Sequence, residues 1–294
     1  MKAMNPTLNF QVGDVASLPI INIDNKQKST QIAQSLIDIT QDDWDSYETS
    51  WNFKLLLLLI TESFPITESL SQRYSVVNKS WKEKINDCLR LEKENNSIFI
   101  QAYDLQDELA PEMSIEEITL TCNPNYRYRG KYSEEELESR LLESSMKEFI
   151  SYSVGCMFGR YSLDKPGLIL ANQGETVEGY YRIICKKPTF APTETNVIPI
   201  LEGEWFVDDI LAQFKIFLRV TFGEDNYPEN LRFIEDALGK DLQKYFLRVI
   251  YKNHVHMYKK RPIYWLFSSP NGSFNAMIYM HRYQPDTVSI VLND

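Results

Sequence analysis

None of the eleven glycines in this 294-residue chain forms a Gly-x-Gly pair, and none of its thirteen prolines adjoins another. The first absence excludes the glycine-rich strand-to-helix turn that lets backbone approach a bound cofactor closely. The four cysteines, Cys88, Cys122, Cys156 and Cys185, contain no Cys-x-x-Cys spacing. A zinc site is therefore not indicated, and reduced thiols in a cytoplasmic protein are the expectation. Histidine is scarce as well. His254 and His256 flank Val255 and point to different faces of a helix, and His281 ends an apolar run, so no His-x-x-x-His metal pair exists. The longest apolar run, Leu55 to Ile60, falls far short of the ~20 residues of a membrane helix and reads as a buried helix segment. Residues 1–25 lack the cationic start and apolar run of a signal peptide. No catalytic residue, cofactor ligand or metal ligand is assigned.

Positive charge is the next shortage. With 31 Lys and Arg against 41 Asp and Glu, the net charge is −10. That excludes a nonspecific polyanion coat, which needs an excess of cations. The cations present are unevenly placed. Lys240, Lys244, Arg248, Lys252, Lys259, Lys260 and Arg261 face only Asp241 in their segment, a local charge of +6, whereas Asp42–Glu48 and Glu134–Glu143 are acidic. On a helix expected from Asp241 to about Tyr258, positions Lys240, Lys244, Arg248, Lys252, His256 and Lys260 recur every fourth residue. Neighbours four apart share a face, so like charges repel unless an anion lies along them. A nucleic-acid backbone would supply that anion. A solvated face paired with the acids of Glu134–Glu143 is the structural alternative.

The pattern predicts an α+β protein, a predominantly helical N-terminal half followed by a mixed α/β region with short strands. Residues 1–25 read as an extended connector, 26–158 as a helical domain and 159–294 as a mixed domain. In the first half, Ile32, Leu36 and Ile39 mark a helix ending before Asp42, and Trp51–Thr61 a second helical stretch. Thr67 can cap a third helix carrying Leu70, Tyr74, Val77, Trp81, Ile85, Cys88 and Leu89. Ser133-Glu-Glu-Glu136 is a capping box ahead of a helical face from Leu137 to Phe158. Beyond it, Leu168–Leu170, Tyr180–Cys185 and Val197–Leu201 read as strands and Glu202–Val220 as a helix. Pro228 and Gly239 bound the next helix. Ile263–Phe267 and Phe274–Met280 flank a Ser-Ser-Pro-Asn-Gly turn and read as a strand pair. Gly155 and Gly159 permit close helix packing, and Arg160 is placed to hold Asp164. Asp286 can cap a short helix from Thr287.

Five blocks carry a resemblance. They are Asn5–Asp14, Tyr103–Leu109, Ile150–Asp164 with Gly167–Leu170, Trp205–Ile210, and the aromatic, cationic segment Arg261–Tyr283. In this order they resemble the part of the adenine-specific DNA methyltransferases of BREX phage-exclusion systems that follows the methyltransferase core. The resemblance implies the recognition and assembly part of a site-specific adenine N6 DNA methyltransferase used in phage defence. Its partners would be double-stranded DNA, the methyltransferase core and other BREX components, with no membrane. S-adenosylmethionine is implied for the full-length enzyme and none for this chain. Besides the missing Gly-x-Gly, the chain has no Asn/Asp-Pro-Pro-aromatic loop to hold a flipped adenine; Asn5-Pro6-Thr7-Leu8 shares only two of its letters. Residues 159–294 would be the DNA-recognition domain. Aromatics beside fixed cations grip phosphates and stack on rings. The DNA-contact candidates are therefore the seven cations together with Arg160, Tyr161, Tyr264, Trp265, His281 and Arg282. Because the family continues past this point, a C-terminally truncated fragment is expected. The alternative function is a protein-interaction scaffold or adaptor without DNA binding.

Overall fold

The computed structural model describes residues 26–60, 68–203, 209–272 and 274–293, with positions 13, 16 and 19 in isolation. Apart from those three positions, of which Gly13 and Ala16 are helical where an extended connector is expected, residues 1–25 with the Asn5–Asp14 block, Thr67 and most of the Trp205–Ile210 block lie outside the described residues. As the pattern predicts, a mostly helical region precedes a region of short antiparallel strands. The elements are α1 (Lys26–Asp45), α2 (Leu70–Ala102), α3 (Pro124–Arg127), α4 (Glu134–Met157), α5 (Val177–Ile184), β1 (Val197–Ile200), α6 (Ile210–Phe222) and α7 (Tyr227–Leu238). They are followed by α8 (Leu242–Arg248), α9 (Ile250–Met257), β2 (Tyr264–Ser268), β3 (Asn275–Tyr279) and α10 (Thr287–Asn293).

Local chemistry explains the long helices. Ser69 and Gln72 form a capping box at the start of α2, and Ser133 and Glu136 form the expected one at α4. Each satisfies two backbone amides that the first helical turn leaves without partners. The stripe Leu70, Tyr74, Val77, Trp81, Ile85 and Cys88 is buried. From Ser145 onward α4 is enclosed on most sides. Its Phe149 ring meets Phe214, Phe217 and Phe222 of α6 at 6.1, 5.8 and 5.9 Å. The main hydrophobic cluster takes residues from Phe53 to Tyr279 and so draws on elements on both sides of residue 158.

The sheet order is β1-β3-β2, antiparallel throughout. Side chains alternate between its two faces. Tyr264, Met277, Tyr279 and Ile198 enter the main core, while Val197, Ala276 and Ile278 pack with Val291 of α10 in a smaller cluster. Trp265 is paired with Ile278, which places it on that second face, half exposed.

Several sequence expectations are corrected. Helix α1 runs through Asp42 to Asp45, because Asp43 is buried and accepts from the amides of Thr121 (2.6 Å) and Cys122 (3.1 Å). Trp51–Thr61 is not a helix as far as it is described. It holds one 3-10 turn, Leu57–Leu59, in an otherwise irregular strap. Its carbonyls find distant partners: Arg73 donates to Leu58 and the Gly167 amide to Lys54. Leu168–Leu170 is a bend, held by backbone bonds from Ile169 to Arg160 and from Leu170 to Gly159. Tyr180–Cys185 belongs to helix α5, whose buried Val177, Tyr180 and Ile184 have helical spacing and which ends on a left-handed Cys185. The helix expected from Glu202 begins at Ile210 with Asp209 as its cap. Asp164 is held by Lys186 (2.8 Å) and Thr189, not by Arg160. The single helix expected over Asp241–Tyr258 is broken at Val249 into α8 and α9.

Candidate nucleic-acid interface

Helices α8 and α9 are each apolar on one side. Leu242, Tyr245, Phe246, Ile250 and His254 are buried, which leaves Lys244, Arg248, Lys252 and His256 exposed. Asp241 caps α8 by accepting from the Lys244 amide at 2.8 Å, and its carboxylate also pairs with Lys244 Nζ. After α9 the chain turns through two consecutive left-handed residues, Lys259 (φ 49°) and Lys260 (φ 65°). Such backbone is unfavourable for residues with a Cβ. The Lys260 amide fixes the turn by donating to Val255 at 2.8 Å. Lys259, Lys260 and Arg261 are all exposed on this turn.

Among the described residues, no acid pairs with Lys240, Arg248, Lys252, Lys259, Lys260 or Arg261. Glu138 and Glu143 of α4 are engaged by Lys82 and Lys147 instead. The cationic ridge is thus not neutralised by the acidic helix. A hollow lies on each flank. Arg248, Tyr251 and Lys252 share one of about 120 Å³ with Leu266 and Asn275 of the hairpin. His256 and Lys259 stand at a larger cleft of about 620 Å³, shared with Trp44, Tyr47, Arg127 and Glu148.

The other sequence candidates are placed elsewhere. Arg160 is buried, donating from Nε to the Tyr161 hydroxyl and from Nη1 to the Tyr279 hydroxyl, both at 3.1 Å. Tyr161 is buried and stacked on Tyr152 with ring centroids 5.0 Å apart. Tyr264 is buried between His254 (4.5 Å) and Phe158 (5.1 Å). Arg282 is buried on three backbone carbonyls. His281 is half-buried, with Nδ1 2.9 Å from the Tyr279 hydroxyl. Trp265 is exposed, but on the sheet face opposite Leu266, which lines the ridge's smaller hollow. All seven cations of residues 240–261 are exposed, on two helices separated at Val249 and on the turn that follows, whereas Arg160, Tyr161, Tyr264 and Arg282 are buried. Trp44, Tyr47, Arg127 and Glu148 line the larger cleft rather than the cationic surface, and no local spacing gave a signal for them.

His254 couples the ridge to the hairpin. Its Nε2 accepts from the amides of Ile263 and Tyr264, each at 3.1 Å, so the ring proton belongs on Nδ1. Burial, with a smaller contribution from the Arg160 charge, lowers its pKa to about 4. The unfolded chain takes up this proton near 6.5 and the folded chain only near 4, so stability is full above the first value and falls as pH drops between them. Denaturation melts from pH 7 to 4 should show a loss of up to roughly 3 kcal/mol that His254→Gln flattens. An unchanged slope in the variant would assign the acid sensitivity to other groups.

Among the described residues no helix is long and apolar enough to cross a membrane. No three His, Cys, Asp or Glu side chains among them converge as metal ligands. No protein-family model matches the chain. It is 36% identical over 309 residues to the adenine-specific methyltransferase PglX of Lacticaseibacillus casei (strain Zhang), covering 99% of this chain and 23% of that protein. It is 33% identical over 304 residues to the adenine-specific methyltransferase BrxX of Escherichia coli O9:H4 (strain HS), covering 97% of this chain and 24% of the relative. Almost its entire length is therefore homologous to a portion, about a quarter, of these two adenine-specific methyltransferases.

Proposed function

We propose that the chain is the DNA-recognition and assembly part of a BREX-type site-specific adenine N6 DNA methyltransferase, working with a methyltransferase core in the cytoplasm. The observation that carries this reading is the cationic ridge. In a protein of net charge −10, six exposed cations between Lys240 and Arg261 have no acidic partner among the described residues. Duplex phosphates laid along α8 and α9 would relieve the repulsion between successive cations. The hairpin follows directly and is held to α9 through His254.

S-adenosylmethionine is assigned in this reading to the core, and the glycine pair of this chain that comes nearest to a cofactor turn supports that. Gly155 and Gly159 are the nearest thing to a glycine pair on a helix-end turn, and both positions are filled by packing. A Cβ on Gly159 would lie 3.1–3.3 Å from Leu170, Pro192 and Tyr180. That glycine admits side chains rather than a ligand. The role proposed for this chain is accordingly positioning: it grips phosphates, sets the register of the duplex and presents it to another part of the enzyme.

Replacing Lys244, Arg248 and Lys252 together by Ser should weaken duplex binding at low salt with an unchanged melting temperature. The slope of log affinity against log salt should shrink by roughly 0.9 for each phosphate that is no longer neutralised. Equal binding by parent and variant would remove α8 and α9 from the interface. Salt-insensitive capture of protein partners, with no duplex binding by the parent, would instead establish the scaffold reading.

A further inference from the structure

The 620 Å³ cleft beside the ridge has a composition that phosphate binding does not require. One wall comes from the end of α1 and the loop after it, with Trp44, Tyr47 and Glu48. Another comes from Arg127 and Tyr128, a third from Ser144, Lys147 and Glu148 of α4, and the last from Asn253, His256 and Met257 of α9 with Lys259. Trp44 keeps 58% of its surface exposed, although it sits at the end of a long helix. The Arg127 guanidinium lies 5.6 Å from the Tyr47 ring centroid and 5.7 Å from that of Tyr128, and is tied to Glu148 at 2.7 Å. These interactions hold Tyr47 and Tyr128 in place and set the Arg127 and Glu148 charges against each other.

The Glu48 carboxylate is fixed, though not neutralised, by accepting from the hydroxyls of Tyr258 (2.9 Å) and Ser151 (2.7 Å). Asn253 is oriented by donating from Nδ2 to the Tyr245 hydroxyl at 3.0 Å, so its carboxamide oxygen remains to accept. Positive charge without an acid partner among the described residues is at the edge, where Lys259 follows α9. Aromatic rings, a hydrogen-bonding carboxamide and the cationic Lys259 at the rim suit a planar ring that carries an anionic tail. The volume falls within the range of sites for small organic ligands, roughly 300–1,000 Å³.

We propose that this cleft receives an unpaired nucleotide of the DNA strand held on the ridge, its base against Trp44 and its phosphate at Lys259. The inference rests on the ridge being the duplex surface. A base inside an intact duplex is stacked and cannot enter, so the nucleotide must already be unpaired or be displaced at a cost of a few kcal/mol. Stacking on one aromatic side chain returns about 1–3 kcal/mol. The balance favours a nucleotide that is already out of the stack. A duplex with one extrahelical nucleotide should therefore bind more tightly than its fully paired counterpart.

The test uses the full chain and two labelled duplexes, one fully paired and one carrying a single bulged 2-aminopurine nucleotide. The parent is expected to prefer the bulged duplex by roughly tenfold, a stacking-sized effect, with quenched 2-aminopurine fluorescence. Trp44→Ala should abolish both the preference and the quenching while leaving affinity for the paired duplex unchanged, and Trp44→Phe should restore part of the preference. A parent that binds the paired duplex without preferring the bulged one overturns this inference and leaves the ridge intact. A preference that survives in Trp44→Ala overturns it too. Failure to bind either duplex overturns the ridge reading and this inference together. A third arm with free deoxynucleoside monophosphates separates the sources: binding that depends on Trp44, without any duplex preference, would make the cleft a free-nucleotide site and reject the strand-bound form.

Discussion

Arg282→Ala is expected to cost about 3 kcal/mol, the upper end for losing hydrogen bonds to a charged group and leaving a buried acceptor unsatisfied. The side chain is 4% exposed. Its Nη1 donates to the Phe158 carbonyl at 3.2 Å, and its Nη2 donates to those of Thr193 (3.1 Å) and Glu194 (3.0 Å). One guanidinium thus ties the C-terminal end of α4, the approach to β1 and the turn after β3. A cation at a helix C-terminus is also favoured by the carbonyls exposed there. Burial pulls its pKa down to about 10, so it is still charged at neutral pH. Alanine would leave the buried Phe158 carbonyl without a donor and release the half-buried Thr193 and exposed Glu194. The melting temperature should fall by roughly 10 °C, with the remaining folded protein binding DNA as before. A variant that melts like the parent but binds DNA weakly would return Arg282 to the interface.

Gly155→Ala should be the second large effect, with a sign opposite to the usual helical rule. In an exposed helix this change gains about 0.5–1 kcal/mol. Here the new methyl would overlap Cδ2 of Tyr161, lie 2.9 Å from its Cε2 and 3.4 Å from the Tyr264 hydroxyl. Tyr161 has little freedom to give way, being stacked on Tyr152 and bonded to Arg160 Nε. Overpacking of this kind costs about 2–3 kcal/mol. Urea denaturation of the variant checks the sign directly; a gain in stability would mean that the tyrosine stack yields.

What could be read from the chain alone was what is local. The stripe of α2, the box at Ser133, Pro228 and Gly239 bounding α7, and the hairpin around Pro270–Gly272 all depend on neighbours a few residues apart. The run of cations from Lys240 to Arg261 is local too, but the break at Val249 between α8 and α9 was not legible in it. Leu55–Ile60 was misread because a short apolar run does not reveal whether its carbonyls bond along the chain or to Arg73. Tyr180–Cys185 misled because its apolar residues fit either period over so few positions. Arg160 and Arg282 were grouped with the surface cations because an arginine among aromatics looks alike in sequence whether it grips a phosphate or three carbonyls. The cleft was invisible because Trp44, Arg127, Glu148 and His256 meet only in three dimensions.

The left-handed cap of α5 has a practical consequence. Cys185, the residue in that conformation, is exposed, whereas Cys88, Cys122 and Cys156 are buried. Burial also pushes the Cys88 thiol up to about 11 and raises those of Cys122 and Cys156, which disfavours the nucleophilic thiolate at all three. Alkylating reagents will therefore discriminate among the four sulfurs without any being mutated. The native chain carries a single-point attachment for a fluorophore or spin label, set on a helix end in the same fold as the ridge, from which distances to a labelled duplex can be measured.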